Sequence, residues 1–195
     1  MRKHIIITGP SGCGKSTAVR SVLGPALSCA GGFITERDIS PTGTVEGVSI
    51  FPAAAAFSKE EYEGRRFLDF SGAQTSHDNE AFRTFGVRLL KESGNYPFTL
   101  IDEFGGFEML VPEFREELLK VLNSPQPLIA VLKSRENAET VRARVGLGEK
   151  YTAVVQNLHS ALAAHEDTEL IEMHCRGEES VLNAIMQWKK EFVLC

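Results

Sequence analysis

The sequence lacks the spacings that would mark a metal-scaffold or disulfide protein. Its four cysteines, Cys13, Cys29, Cys175 and Cys195, form no C-x-x-C pair and have no close histidine partner, which excludes the usual zinc-site patterns. The five histidines, His4, His77, His159, His165 and His174, follow no metal-ligand rhythm, and none is assigned a catalytic role. Basic charge is not in excess either. A net charge of −5 and a pI near 5.6 argue against a broad nucleic-acid-binding face, so no nucleic-acid partner is expected. Signal-peptide and membrane-spanning runs are missing: Met1-Arg2-Lys3 leads straight into an apolar segment, which points to a cytoplasmic protein with reduced thiols and no membrane contact. What is present is 195 residues with 43% hydrophobic content, enough for one substantial core and a single domain over residues 1–195.

The most informative segment lies at the start. His4-Ile5-Ile6-Ile7-Thr8 reads as a strand and runs into Gly9-Pro10-Ser11-Gly12-Cys13-Gly14-Lys15-Ser16-Thr17, a complete G-x-x-x-x-G-K-[ST] phosphate-binding loop. Glycines let successive backbone N–H groups turn inward around phosphates, and the following helix adds its positive N-terminal end. Lys15 is expected to reach the β- and γ-phosphates. Ser16 is expected to place its hydroxyl on Mg²⁺, a hard ion bridging two phosphate oxygens. Cys13, at a helix N-terminus, is either a redox-sensitive thiol or a passive loop side chain.

The first helix spans Lys15 to Leu23 and is stopped by Gly24-Pro25. Gly31 to Glu36 and Gly43 to Phe51 read as an antiparallel pair joined by Ser40-Pro41-Thr42-Gly43, an insertion beside a parallel sheet. Pro52 to Asp78 has no clean periodicity and is read as a flap without assigned structure. Within it Arg65-Arg66 suits either a second phosphate or a solvated charged pair. Ala81 to Glu92 reads as helix, as does Pro112 to Asn123, whose Phe114, Leu118, Val121 and Leu122 stripe is core.

Pro97 to Glu103 is an apolar strand ending in two carboxylates, the pattern of a Walker-B element. Asp102 is expected to hold Mg²⁺ with Ser16, while Glu103 orients or deprotonates the attacking water. Pro127 to Leu132 is a further buried strand, and Lys133-Ser134-Arg135 at its end offers polar groups to a γ-phosphate. Residues 136 to 145 are charged and helical; Arg142 and Arg144 there suit either a lid or internal arginine finger, or a solvated face. Thr168 to Met173 reads as the last strand and Glu178 to Phe192 as the closing helix; the connector His174-Cys175-Arg176-Gly177 at the strand exit, Arg176 within it, suits either contact with a base or a plain connection.

These residues together resemble the THEP1-type nucleoside-triphosphatases. The likeness rests on Gly9 to Thr17, on Gly32-Phe33-Ile34-Thr35-Glu36, and on Asp102-Glu103-Phe104-Gly105-Gly106-Phe107-Glu108. The family typically shows Asp-Glu-Ile-Gly-Lys-Met-Glu at the last of these. Asp102, Glu103, Gly105 and Glu108 match, whereas Phe104, Gly106 and Phe107 stand for isoleucine, lysine and methionine. The resemblance implies slow hydrolysis of nucleoside triphosphates with broad base tolerance. Glu36 and Glu108 match the family pattern, and each is equally a capping or ion-pairing carboxylate. The expected fold is a three-layer α/β P-loop domain with a mainly parallel sheet and a small antiparallel insertion. A kinase of nucleotides or small molecules, and a nucleotide-gated switch acting on an unknown protein partner, are the alternatives.

Overall fold

The computed structural model describes residues 2–72 and 75–193; Met1, Leu194 and Cys195 lie outside, as do Ala73 and Gln74 of the flap segment. Its sheet is built on β1 (His4–Thr8), every residue of which is buried. Side chains alternate across a strand, so Ile6 faces one layer while Ile5 and Ile7 face the other. On the Ile6 side, Phe33 of β2 (Ala30–Ile39), Ile101 of β6 (Phe98–Phe104) and Ala130 of β7 (Leu128–Leu132) meet α2 (Val87–Glu92), α3 (Pro112–Leu122) and α5 (Glu149–Ala164). On the Ile5 side, Ile34, Leu100 and Val131 meet α1 (Lys15–Leu23) and α6 (Glu179–Phe192), where Trp188 is fully buried and its Nε1 donates to the Lys3 carbonyl at 2.9 Å. Helices therefore cover both faces of one sheet, giving three layers.

Among the described residues the sheet has eight strands in the order β5, β4, β3, β2, β6, β7, β1, β8. β2, β6, β7, β1 and β8 (Thr168–Glu172) run parallel, while β3 (Val45–Pro52), β4 (Arg65–Asp69) and β5 (Ser76–His77) extend the β2 edge in antiparallel fashion. The antiparallel pair expected from the sequence is present, but it is continuous with the main sheet. Ala30 to Ile34 of β2 pair with β6, and Phe33 to Ile39 pair with β3. The segment left unassigned between Pro52 and Asp78 supplies β4 and β5. Ala53, Ala54, Ala55 and Phe67 turn inward from short strands and 3₁₀ turns, too brief for a period to register, while Phe57 stays exposed.

Ala81–Gly86 is a π-helical turn that continues into α2. α4 (Arg135–Val145) is capped by Ser134, whose side chain accepts from the Asn137 N–H, and ends at Gly146 with φ +70°. α5 was not anticipated. Its buried Tyr151, Val155, Leu158, His159 and Leu162 carry a helical spacing that the sequence does contain. No helix among the described residues is long and apolar enough to cross a membrane.

His4 is fully buried at the start of β1; its Nε2 bonds the Leu122 carbonyl at 2.9 Å and its Nδ1 has no hydrogen-bond partner among the described residues. Burial, with the Lys3 charge beside it, pulls the imidazole down from 6.5 to about 4. The unfolded chain thus takes up a proton near pH 6.5 that the native chain refuses until near pH 4, so stability is lost as pH falls through that window. The full loss is about 3 kcal/mol. Urea unfolding at a series of pH values should show that deficit in the wild type relative to a His4→Leu variant; parallel curves for the two would remove His4 as the cause.

Candidate active site

The phosphate-binding loop joins β1 to α1 and rests on the backbone that leaves β8. Gly9 has φ +136°, and a Cβ there would fall 2.1 Å from the Met173 carbonyl oxygen, so only glycine fits. Lys15 is 5% exposed, and its ammonium group donates to the carbonyls of Gly9 and Pro10 at 2.9 and 2.8 Å. The amine is thereby held inside the curve of the loop. Cys13 is buried, 3.9 Å from the Lys15 Nζ through its sulfur. Cys13, Cys29 and Cys175 are free thiols, and Cys195 lies outside the described residues.

Ser16 and Asp102, 86 residues apart in sequence, meet directly: the serine Oγ donates to Asp102 Oδ1 at 2.5 Å. The carboxylate is 1% exposed. Its other oxygen accepts from Arg20 Nε at 3.0 Å and Nη2 at 2.7 Å, and the remaining guanidinium nitrogen of Arg20 donates to Glu36. Arg20 lies one turn beyond Ser16 on α1, so both side chains leave the same helix face. Burial pushes the Asp102 carboxyl up, and the Arg20 charge and the Ser16 hydroxyl draw it back. Sequence reading did not single out Arg20. The only signal was its i+4 offset from Ser16, which gains meaning once Asp102 is known to sit opposite.

These donors fit magnesium: a hydroxyl and a carboxylate, both hard oxygen ligands, sit side by side next to the phosphate loop. No group of three or more His, Cys, Asp or Glu residues among the described ones could hold a metal by itself. A cation with few protein ligands, completed by phosphate oxygens and water, is the arrangement that Ser16 and Asp102 suit.

Glu103 follows Asp102 at the end of β6, and the ladder to β7 shifts register between Asp102 and Phe104. Such an irregularity re-aims a side chain at a strand end. Glu103 is half-buried and forms an ion pair with Lys133, the residue that follows β7. Since β7 lies between β1 and β6, its exit opens between the phosphate loop and the two acids. Lys133 also fills space beside Gly106, the position where a lysine is absent: a Cβ on Gly106 would stand 3.3 Å from Lys133 Cε and 2.6 Å from Glu108 Oε2. A cation thus reaches this site from the neighbouring strand.

Glu108 proves to be a brace. Its Oε1 accepts from the backbone N–H groups of Gly105 and Gly106, both at 2.7 Å, and it is buried. Burial raises its carboxyl above the ordinary range, opposed by the Lys133 charge and by those two N–H groups. The unanticipated α5 secures both strand exits. Tyr151 donates its hydroxyl to the Gly105 carbonyl at 3.0 Å, and His159 Nε2 lies 3.0 Å from the Lys133 carbonyl.

The remaining sequence candidates separate in space. Glu36 acts on the site through Arg20. Ser134 is committed to the α4 cap, Arg135 lies outside the cleft lining, and Arg142 pairs with Glu139 at 2.7 Å. Arg176 lies along the loop, with its Nε 3.4 Å from the Gly12 carbonyl, and Arg144 stands over the Phe70 ring at 4.2 Å. Both line the same cleft, which encloses about 830 Å³ and also takes in Lys15, Ser16, Asp102 and Glu103. Arg65 and Arg66 are outside it, neutralised by Asp78, Asp38 and Asp69.

Known proteins agree with this arrangement at the level of the family. A family model described as NTPase matches residues 4–161. The nucleoside-triphosphatase THEP1 of Thermotoga petrophila is 30% identical over 148 residues, covering 73% of this chain and 80% of the relative. That of Ignicoccus hospitalis is 31% identical over 147 residues, covering 71% and 81%. The crystal structure of THEP1 from the hyperthermophile Aquifex aeolicus superimposes with a TM-score of 0.64 over 94% of this chain and 97% of that one, at 18% identity, and so speaks for the fold. With its phosphate loop on β1, its acidic pair on β6 and a match through most of its length, the chain belongs to the THEP1-type nucleoside-triphosphatase family.

Proposed function

We propose that the protein hydrolyses nucleoside triphosphates, ATP and GTP among them, to diphosphate and phosphate, slowly and with Mg²⁺. The observation that carries this reading is the 2.5 Å contact between Ser16 and Asp102 in a cleft that also holds Lys15 and Glu103. The name that the relatives share, nucleoside-triphosphatase, supports it.

The loop N–H groups and the Lys15 ammonium stabilise negative charge on the β,γ-bridge and γ-oxygens as the bond to the leaving diphosphate breaks. Ser16 and Asp102 would hold the metal, which would supply charge neutralisation to the phosphates. Arg20 keeps the Asp102 carboxylate ionised and oriented. Glu103 aligns a water in line with the leaving group and accepts its proton. The Lys133 ion pair ties up the Glu103 carboxylate until it is released, which supports slow turnover. A γ-phosphate competes for the same ammonium group, so nucleotide binding releases the carboxylate for its task.

The test is phosphate release from the full chain with Mg²⁺ and each of ATP, GTP, CTP and UTP, with products separated by chromatography. Equal amounts of diphosphate and phosphate are expected from more than one base. Bound nucleotide with no phosphate released would overturn the reading.

A further inference from the structure

The cleft extends beyond the loop and the acidic pair, over apolar and aromatic side chains. Its volume of about 830 Å³ lies in the upper part of the range for small-molecule sites, roughly 300–1,000 Å³. The attacking group in hydrolysis is one water. Beyond Glu103 the lining changes character, from the polar loop to Val48, Phe67, Phe70 and Phe107 with Arg37 and Arg144. Phe67 and Phe107 belong to a buried ring cluster with Phe82, with centroids 4.8 to 5.7 Å apart, which forms a rigid floor. Val48 and Phe70 are half-exposed above it.

The order of strands separates this end from the nucleoside. On the reading proposed above, a triphosphate would run from the loop after β1 to the acids after β6, with its terminal phosphate toward Glu103. The nucleoside would then lie back over the loop, on the side of β8 and Arg176. The aromatic end lies on the opposite flank, over β3 and β4, past the terminal phosphate. Charge there is unbalanced as well. Among the described residues neither Arg37 nor Arg144 forms an ion pair, whereas the neighbouring Arg65 and Arg66 are both neutralised. A guanidinium over a ring and a second one free at the rim suit an anionic group attached to a flat apolar body.

We propose that the cleft holds two ligands side by side: a nucleoside triphosphate on the loop, and a second, ring-bearing anionic small molecule on the aromatic end beside the terminal phosphate. The second ligand stands between bulk solvent and Glu103, so its presence decides whether water reaches the phosphorus. This inference rests on the reading that the terminal phosphate faces Glu103.

The test uses the full chain and the fluorescent anion 8-anilinonaphthalene-1-sulfonate, an aromatic ring system with one sulfonate. Saturable binding is expected, with its Kd changed less than about twofold by a saturating non-hydrolysable ATP analogue with Mg²⁺. Arg37→Glu and Phe70→Ala, both at the cleft surface, are each expected to weaken the probe about tenfold and to leave affinity for the ATP analogue unaltered. In the wild type the probe should lower phosphate release without raising KM for the triphosphate. Absence of saturable binding, displacement by the ATP analogue, or an unchanged Kd in both variants would overturn the proposal. The binding measurements involve no turnover, so they stand or fall separately from hydrolysis.

Discussion

Replacement of Glu103 by Gln is expected to lower kcat for phosphate release about a thousandfold, within the range for loss of a positioned general base. The amide keeps the size of the side chain and removes both its charge and its basicity. Nucleotide affinity should stay within about threefold, because on the proposed reading most phosphate contacts come from the loop and Lys15, which the substitution leaves untouched. The expected split is therefore a fall in kcat with little change in binding. It is read by single-turnover kinetics together with titration of a non-hydrolysable analogue. Glu103→Gln also frees the Lys133 ammonium from its ion pair, so any change in affinity should be toward tighter binding. Unchanged turnover would remove Glu103 from the mechanism and shift attention to a water held by phosphate oxygens alone.

Arg20→Met is expected to destabilise the fold by about 3 kcal/mol, because it leaves the Asp102 carboxylate buried without its cation. The loss should depend on pH. Burial already holds the Asp102 carboxyl above its ordinary pKa, and removing Arg20 raises it further. A carboxyl raised in the native state opposes folding where the unfolded chain is ionised and ceases to do so where both states are protonated. The deficit of the variant should therefore shrink as pH falls. A double variant, Arg20→Met with Asp102→Asn, removes the charge as well as its partner and should recover most of the lost stability. Denaturant midpoints of the four proteins in this cycle give the coupling. A deficit below about 1 kcal/mol would mean that the pair behaves as an exposed one.

The parts of this protein that its sequence determined are those encoded within a few residues. The glycine spacing and Lys15-Ser16 of the loop, the apolar β1 before it and the acids closing β6 are each local, since turn conformation and strand burial depend on neighbours in the chain. The α/β class follows from the same alternation of apolar strands and helical stripes. Lone short strands such as β4 and β5 escaped because strands of five and two residues carry too little periodicity to read. α5 escaped for another reason: its stripe was present, but its purpose appears only where Tyr151 and His159 reach the Gly105 and Lys133 carbonyls.

What the tertiary structure alone decided is which charges meet. The pairing of Ser16 with Asp102 is legible from their two motifs, but nothing in the chain announces Arg20 beside Asp102 or Lys133 beside Glu103; the parallel order β6, β7, β1 brings those strand exits to one edge. Glu108 and Glu36 each suited either a site role or a capping or ion-pairing one, and the backbone donors on Glu108 and the Arg20 pair on Glu36 show what each side chain does in the fold. Local sequence fixes conformation through steric and hydrogen-bonding preferences a few residues long. The pairing of distant charges depends on strand order, which the whole core selects.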